Sequence, residues 1–330
     1  MTVIDRADAF NVGDLFVDLE PVLGERLLLK CEGMNLAGSI KLKTAVSLLN
    51  RAEATGLVAP GRTTLVESSS GNLGIGISIA AASRGYRFIC ITDSRCNRGA
   101  IAMMQALGTT VEVVTAPHPT LGLLGARLER VRDLVTARPD HVWLNQYENS
   151  ANWEAHFNST GPEILRAFRK VDTVFVGVGT AGTAMGVSRY LREASPRTRV
   201  IGIDVEGSVS FGGPAGTRYV AGIGSSIRPP LLDLSLLDDV VHVSEQDSVE
   251  ACRSLARHGY VFGGSTGSVV WGARRWLRDE PGHRDAVNVA IAPDFGERYL
   301  ETVFRDDWVS DVIGLSAVDR LSGDAVAESV

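Results

Sequence analysis

The chain has 330 residues, 45% of them hydrophobic and 22% charged, enough to bury a large core as two lobes or as one large α/β domain. A net charge of -6, with no basic run and no aromatic platform, argues against nucleic acid as the main partner. No uncharged apolar run reaches the roughly 18 residues of a membrane span, and the first residues lack the basic-then-apolar pattern of a signal peptide, so a cytoplasmic location is the expectation.

After a short polar leader, residues 27–31 read as a strand and residues 44–49 open an amphipathic helix. From residue 63, short β-rich runs (63–67, 88–92, 111–114) alternate with helical runs (75–84, 99–107, 121–137). That alternation predicts parallel strands with helices on both faces. Polar and aromatic residues at 143–149 break the rhythm and mark a crossover between lobes. A helix over 153–169 then leads to a second sheet with strands at 174–178, 200–204, 240–243 and 287–291. The expected fold class is α/β: two lobes, each a mostly parallel twisted sheet flanked by helices, with the active site in the cleft between them. Residues 1–40 and 151–315 form the larger lobe, 41–150 the smaller, mobile one, and 316–330 a loose tail. Residues 207–236, rich in Gly, Ser and Pro, lack periodicity, and loops of that length often serve as lids or binding loops.

Lysine is scarce, at Lys30, Lys41, Lys43 and Lys170 only. Arginine neither deprotonates nor forms a Schiff base, whereas lysine does both once its pKa falls. Two of the four lie in Asn35-Leu36-Ala37-Gly38-Ser39-Ile40-Lys41-Leu42-Lys43-Thr44, at a predicted helix start. There the helix dipole and the cation of Lys43 would both lower the pKa of Lys41. Two solvated surface lysines are the plain alternative. Cys31, Cys90, Cys96 and Cys252 are scattered and read as reduced, buried thiols; neither they nor the six histidines have metal-ligand spacing.

Four turns follow strands. Glu67-Ser68-Ser69-Ser70-Gly71-Asn72-Leu73-Gly74 offers hydroxyls and backbone N–H groups at a helix start, which suits a carboxylate or phosphate and equally suits an ordinary cap. Gly177-Val178-Gly179-Thr180-Ala181-Gly182-Thr183 reads as a phosphate cup; it lacks the ATPase Gly-Lys-Ser/Thr ending, and taken alone it leaves a dinucleotide open. Gly263-Gly264-Ser265-Thr266-Gly267-Ser268 opens another helix, and Pro293-Asp294-Phe295-Gly296-Glu297-Arg298-Tyr299 follows the last strand. Together with the lysine they describe a cleft between two α/β lobes.

This combination resembles the fold-type II pyridoxal-phosphate (PLP) enzymes, the cysteine synthase and cystathionine β-synthase family, over about residues 12–300. The family's Asn-Pro-x-x-Ser-x-Lys corresponds to Asn35 through Lys41, which implies Lys41 as the Schiff-base lysine. Its Thr-Ser-Gly-Asn-Thr-Gly corresponds to Ser69 through Gly74, implying Asn72 beside the cofactor's ring hydroxyl and Ser69, Ser70 and Gly71 around the substrate carboxylate. Gly179, Thr180, Ala181, Gly182 and Thr183 correspond to the phosphate cup, Ser265 to the partner of the pyridine nitrogen, and Gln146 to a further carboxylate contact. Leu36, Leu73 and Ala181 replace a proline, a threonine and a glycine, and Leu15-Phe16 replaces Thr-Pro; Leu73 removes a hydroxyl from the substrate site.

A narrower similarity, carried by Glu67 through Gly74, Asn145-Gln146-Tyr147 with Asn152-Trp153 and His156, Gly207-Ser208-Val209 with Phe211-Gly212, and Gly263 through Ser268, is to the branch that makes 2,3-diaminopropionate for siderophores and peptide antibiotics. It implies a homodimer acting on small amino acids, with O-phospho-L-serine and L-glutamate giving N-(2-amino-2-carboxyethyl)-L-glutamate and phosphate. Lys41 would serve as the base at the α-carbon, and a neutral Ser265 would leave the ring nitrogen unprotonated. Arg228 is the candidate anion contact, since a guanidinium suits bidentate recognition. The alternatives are a cysteine synthase using O-acetylserine or O-phosphoserine with sulfide, a non-catalytic PLP-binding regulator, and an NAD-binding oxidoreductase.

Overall fold

The computed structural model describes residues 4–280, 282 and 286–314; the expected tail at 316–330 lies outside them. The elements are β1 (Phe16–Asp18), α1 (Glu20–Leu23), β2 (Leu28–Cys31), α2 (Lys41–Ala54), β3 (Thr64–Ser68), α3 (Asn72–Arg84), β4 (Arg87–Asp93), α4 (Arg98–Ala106), β5 (Thr110–Val114), α5 (Gly122–Ala137) and β6 (His141–Trp143). They continue with α6 (Ala151–Phe157), α7 (Thr160–Ala167), β7 (Thr173–Gly177), α8 (Gly182–Ala194), β8 (Arg199–Val205), β9 (Asp239–Val243), α9 (Glu245–Arg257), α10 (Gly264–Asp279) and β10 (Asn288–Ala292).

A six-stranded sheet runs β1-β2-β10-β7-β8-β9, and a four-stranded sheet runs β5-β4-β3-β6. Every pairing is parallel except β1 with β2. The large sheet is apolar on both faces, as parallel sheets covered by helices require. In β10, Ala290 and Ala292 join the core under α10, while Val289 and Ile291 join the core under α8. The small sheet is covered on one side by α2 and α3, and on the other Val66 and Ile91 pack with Val131 of α5.

Two elements differ from the sequence-based expectation. The predicted helix over 153–169 is two helices, α6 and α7, broken at Asn158 and Ser159. Pro162 has no N–H to return to Asn158, so the ladder cannot run through. The three-residue strands β1 and β6 are too short to leave a periodic pattern.

The fold's least ordinary feature is a closed ring of buried charge. Lys30 of β2 contacts Glu32 Oε1 at 2.8 Å and Glu163 Oε2 at 2.7 Å, and Lys43 of α2 contacts Glu32 Oε2 at 2.7 Å and Glu163 Oε2 at 2.6 Å. Lys30 also donates to the carbonyl of Gly13 at 2.7 Å. A Cβ at Gly13 would lie 2.3 Å from the Glu163 carboxylate, so only glycine lets the chain pass there. Burial would raise the Glu32 carboxyl, but Lys43 and Lys30 outweigh it and hold it at about 2, against an ordinary 4.5.

Replacing Glu32 with Gln leaves the two lysines sharing one carboxylate and is expected to cost about 3–5 kcal/mol in urea unfolding. Because the folded pKa is depressed, the wild-type contribution is complete above pH 4.5 and is lost as pH falls through about 2. The E32Q variant should lack that component of the acid-unfolding curve, and coincident curves would contradict the account.

Candidate active site

Because the strands within each sheet that flank the cleft are parallel, several helix N-termini and strand C-terminal ends meet in one place. There they line a cleft of about 720 Å³. It brings together Lys41, Ser69, Ser70, Gly71, Asn72, Gln146, Gly179, Thr180, Ala181, Gly182, Thr183 and Ser265. Arg228, the sequence candidate for an anion contact, is exposed and does not line it. Residues 215–226 of the long loop line the cleft mouth, and the chain has left it by Pro229 and Pro230. Arg218, earlier in that loop, lines the cleft.

Lys41 is the first residue of α2. Ile40 before it is buried in the core of the large sheet, and Leu42 after it in the core of the small sheet. Burial lowers its amine from 10.5 to about 8. The sequence suggested Lys43 as a neighbouring cation that depresses it. Instead, Lys43 is turned into the carboxylates of Glu32 and Glu163, and its charge is spent there.

The turn after β3 is shaped by its own serine. Ser69 Oγ accepts from the N–H of Gly71 at 3.2 Å and of Gly74 at 2.9 Å, and so caps α3. Gly71 has φ 153° and ψ -89°, which a side chain would oppose. Glu67 beneath the turn is buried, and burial raises its carboxyl to about 7 despite bonds from Trp143, Ser68 and Gln146. Those bonds hold the β6 exit against β3: Trp143 Nε1 donates at 2.9 Å and the Gln146 backbone N–H at 3.1 Å. Gln146 Nε2 donates to the carbonyl of Ser68 at 2.8 Å, which fixes its amide beside the turn.

The cup at the start of α8 is supported from α6. Asn152 Nδ2 donates to Thr180 Oγ1 at 3.1 Å, and His156 Nε2 lies 3.3 Å from Thr183 Oγ1 and 3.2 Å from Thr44 Oγ1 of α2. Burial, then the nearby charge of Lys41, pushes His156 down to about 3, so the imidazole is neutral. Ala181 holds a left-handed conformation, φ 67°, and its buried methyl joins the core under α8. That burial offsets the roughly 1–2 kcal/mol cost of the conformation.

Opposite the β3 turn, Asp294 follows β10. Asn72 Nδ2 donates to its Oδ2 at 2.9 Å, Tyr299 Oη donates to Oδ2 at 2.6 Å, and Ser265 Oγ donates to Oδ1 at 2.9 Å. Arg298 bonds to Asn72 Oδ1 and to the carbonyl of Ala37. Burial moves the Asp294 carboxyl upward against the pull of Tyr299, Asn72, Ser265 and Arg298. The sequence singled out residues 293–299 as a turn but gave them no role. Nor did it distinguish Arg95 and Arg127, which also line the cleft. Arg127 sits in the predicted helical run 121–137 among other arginines, and its ion pair with Asp93, at 3.0 Å, exists only after folding.

The profile described as "Pyridoxal-phosphate dependent enzyme" matches residues 17–294. The chain belongs to that family. It is 40% identical over 302 residues to the N-(2-amino-2-carboxyethyl)-L-glutamate synthase of Ralstonia nicotianae, covering 91% of this chain and 87% of that protein. It is 38% identical over 296 residues to the enzyme of the same name from Cupriavidus metallidurans, covering 89% and 86%. Among solved structures, it superposes on a hydrogen sulfide-producing enzyme from Fusobacterium nucleatum with a TM-score of 0.83, 27% identity and coverage of 90% and 100%. It superposes on the O-acetylserine dependent cystathionine β-synthase of Helicobacter pylori with a TM-score of 0.84, 26% identity and coverage of 92% and 99%. This PLP enzyme therefore has the fold-type II architecture and the transferase character of its cysteine synthase-like relatives.

The cleft fits the cofactor. A Cβ at Gly182 would lie 2.0 Å from the Asn152 amide, so the cup keeps glycine where backbone and support meet, and its N–H groups open the 13-residue α8. Lys41 would hold PLP covalently, since its amine is the lysine amine that lines the cleft. The K41A variant should bind PLP without being labelled on borohydride reduction, whereas wild-type protein is labelled at Lys41; labelling elsewhere would reject the assignment. Attachment needs a neutral amine, so its rate in apo-protein should rise with pH through about 8.

Proposed function

We propose that the chain catalyses replacement of the phosphate of O-phospho-L-serine by the amino group of L-glutamate. The products are N-(2-amino-2-carboxyethyl)-L-glutamate and phosphate, for 2,3-diaminopropionate synthesis. The observation that carries this reading is the charge of the cleft. Among the described residues, Lys41, Arg95, Arg127, Arg218 and Arg298 line it, against the single carboxylate of Asp93, which Arg127 already pairs. A phosphorylated donor and a dicarboxylate acceptor both match that excess of cations.

PLP, when bound, supplies the electron sink that lets the α-proton leave. The chain's own residues do the rest. Gly71, Ser70 and Gln146 hold the substrate α-carboxylate at the N-terminus of α3. Lys41, whose pKa lies near neutrality, takes the α-proton from the donor and returns one to the α-carbon of the product. Leu73, buried on the lining of the cleft, keeps that wall of the site apolar.

A second reading, sulfide as the nucleophile with O-acetylserine as donor, is favoured by the two structural relatives, one named for hydrogen sulfide production and one for O-acetylserine dependence. Phosphate release from O-phosphoserine that requires glutamate supports the first reading. Turnover confined to O-acetylserine and sulfide would replace it with the second. Arg218, held by Ser226 Oγ at 2.9 Å and by the carbonyl of Gly207, presents a positioned guanidinium. The R218A variant should raise KM for one of the two anionic substrates about 10- to 100-fold, the loss of one charge-assisted hydrogen bond of roughly 1.5–3 kcal/mol. Its kcat should change less, and unchanged KM for both substrates would remove Arg218 from the site.

A further inference from the structure

We propose that Arg95 and Arg218, one from each lobe, form the subsite for the side-chain carboxylate of the acceptor, a dicarboxylic amino acid. The pair rests on the reading above, in which the acceptor is L-glutamate, and supplies its specificity. Arg95 follows β4 of the small sheet, and Arg218 lies in the loop between β8 and β9 of the large one. Both line the cleft.

Among the described residues of the lining, the other cations are engaged. Lys41 is the attachment lysine of the seating proposed above. Arg127 is paired with Asp93 at 3.0 Å, and Arg298 donates to Asn72 Oδ1 and to the carbonyl of Ala37. The same Asp93 carboxylate accepts from the backbone N–H of Arg95 at 3.0 Å, which fixes the turn carrying Arg95 and leaves its guanidinium untouched. Among the described residues that guanidinium makes no hydrogen bond or ion pair. Arg218 is held without being neutralised: it donates to Ser226 Oγ at 2.9 Å and to the carbonyl of Gly207, both uncharged acceptors. The segment after it is pinned by Glu245 Oε1, which accepts from the N–H of Val220 at 2.6 Å. Burial lowers the pKa of Arg218, the carboxylates of Asp204 and Glu245 raise it, and the like charge of Arg95 lowers it again; an arginine stays cationic throughout. Two guanidiniums near enough to repel are relieved by an anion that both can bind.

The chemistry of replacement says which anion. The acceptor nitrogen takes the place of the donor's ester oxygen on the β-carbon. Phosphorus lies one bond from that oxygen, whereas the side-chain carboxylate of an extended glutamate lies four bonds from the nitrogen, roughly 5 Å farther out. Arg95 is exposed, and Arg218 is half-buried between exposed Thr217 and Tyr219, so the pair stands at the cleft mouth, where the acceptor's far end arrives.

Steady-state kinetics of the holoenzyme with O-phospho-L-serine and either L-glutamate or L-glutamine test this, since glutamine has the same length and an uncharged end. R218A is expected to raise KM for glutamate about 10- to 100-fold. R95A, whose side chain is exposed and screened, should raise it about 2- to 5-fold. KM for O-phosphoserine should move far less, and each variant should lose its factor from the preference for glutamate over glutamine. A role confined to holding the loop would weaken both acceptors alike. R218K, which keeps the charge without the fork, should recover part of the preference. Because the Arg95 side chain bonds to nothing in the fold, R95A keeps the test decisive even if R218A does not fold. Turnover of O-phosphoserine with glutamate in which R95A leaves the preference unmoved overturns the inference and leaves the proposed function standing, as does a KM rise confined to O-phosphoserine. Wild-type turnover confined to O-acetylserine and sulfide overturns both.

Discussion

Lys41 is held in place because the residues on either side of it belong to different cores. Ile40 is packed under the large sheet and Leu42 under the small one, so the amine emerges at the seam where the two meet. Two residues on, Lys43 is tied into the buried ring with Lys30, Glu32 and Glu163, which joins β2, α2 and α7. Desolvating four charges is costly, and the ring compensates by giving each a partner of opposite sign at hydrogen-bond distance. With the first turn of α2 fixed this way, its lysine stays at the cleft, and its pKa is set by burial rather than by a neighbouring cation.

The turn that opens α8, where the cofactor's phosphate would sit, depends on the same helix from another direction. Asn152 and His156 sit one helical turn apart on α6 and share a face. That face touches Thr44 of α2 on one side and Thr180 and Thr183 of the cup on the other. A charged imidazole there would stand unpaired beside Lys41; the neutral ring instead serves as a hydrogen-bonding spacer among three threonines. Lysine and cup are thereby referred to one rigid element. The Asp294 cluster does the same for the far side of the site, joining Asn72 of the small sheet's α3 to Ser265 and Tyr299 of the large lobe. Such fully satisfied buried networks fix a single arrangement of their members.

Much of this was legible in the residues. The alternation of β-rich and helical runs gave the two sheets and most of their strands, because parallel strands buried on both faces leave compact apolar runs. The scarcity of lysine, with two in one turn, pointed to Lys41, and the glycine and serine turns after strands located corners of the cleft. Short or mixed-signal elements were not legible. β1 and β6 are three residues each, and the break between α6 and α7 turns on one proline.

What the sequence by itself determined was local: which segments are strands, which turns need glycine, and which side chain can do amine chemistry. Those follow from periodicity and from the bonding capacity of single residues. The tertiary structure alone decided the partners. It turned Lys43 away from Lys41 and into Glu32 and Glu163, residues 11 and 120 positions away. It chose Arg218 over Arg228 for the cleft by the path of one loop, and set Asp294 behind Ser265. A charge's effect depends on distance and burial, and both are properties of the packed chain rather than of its order.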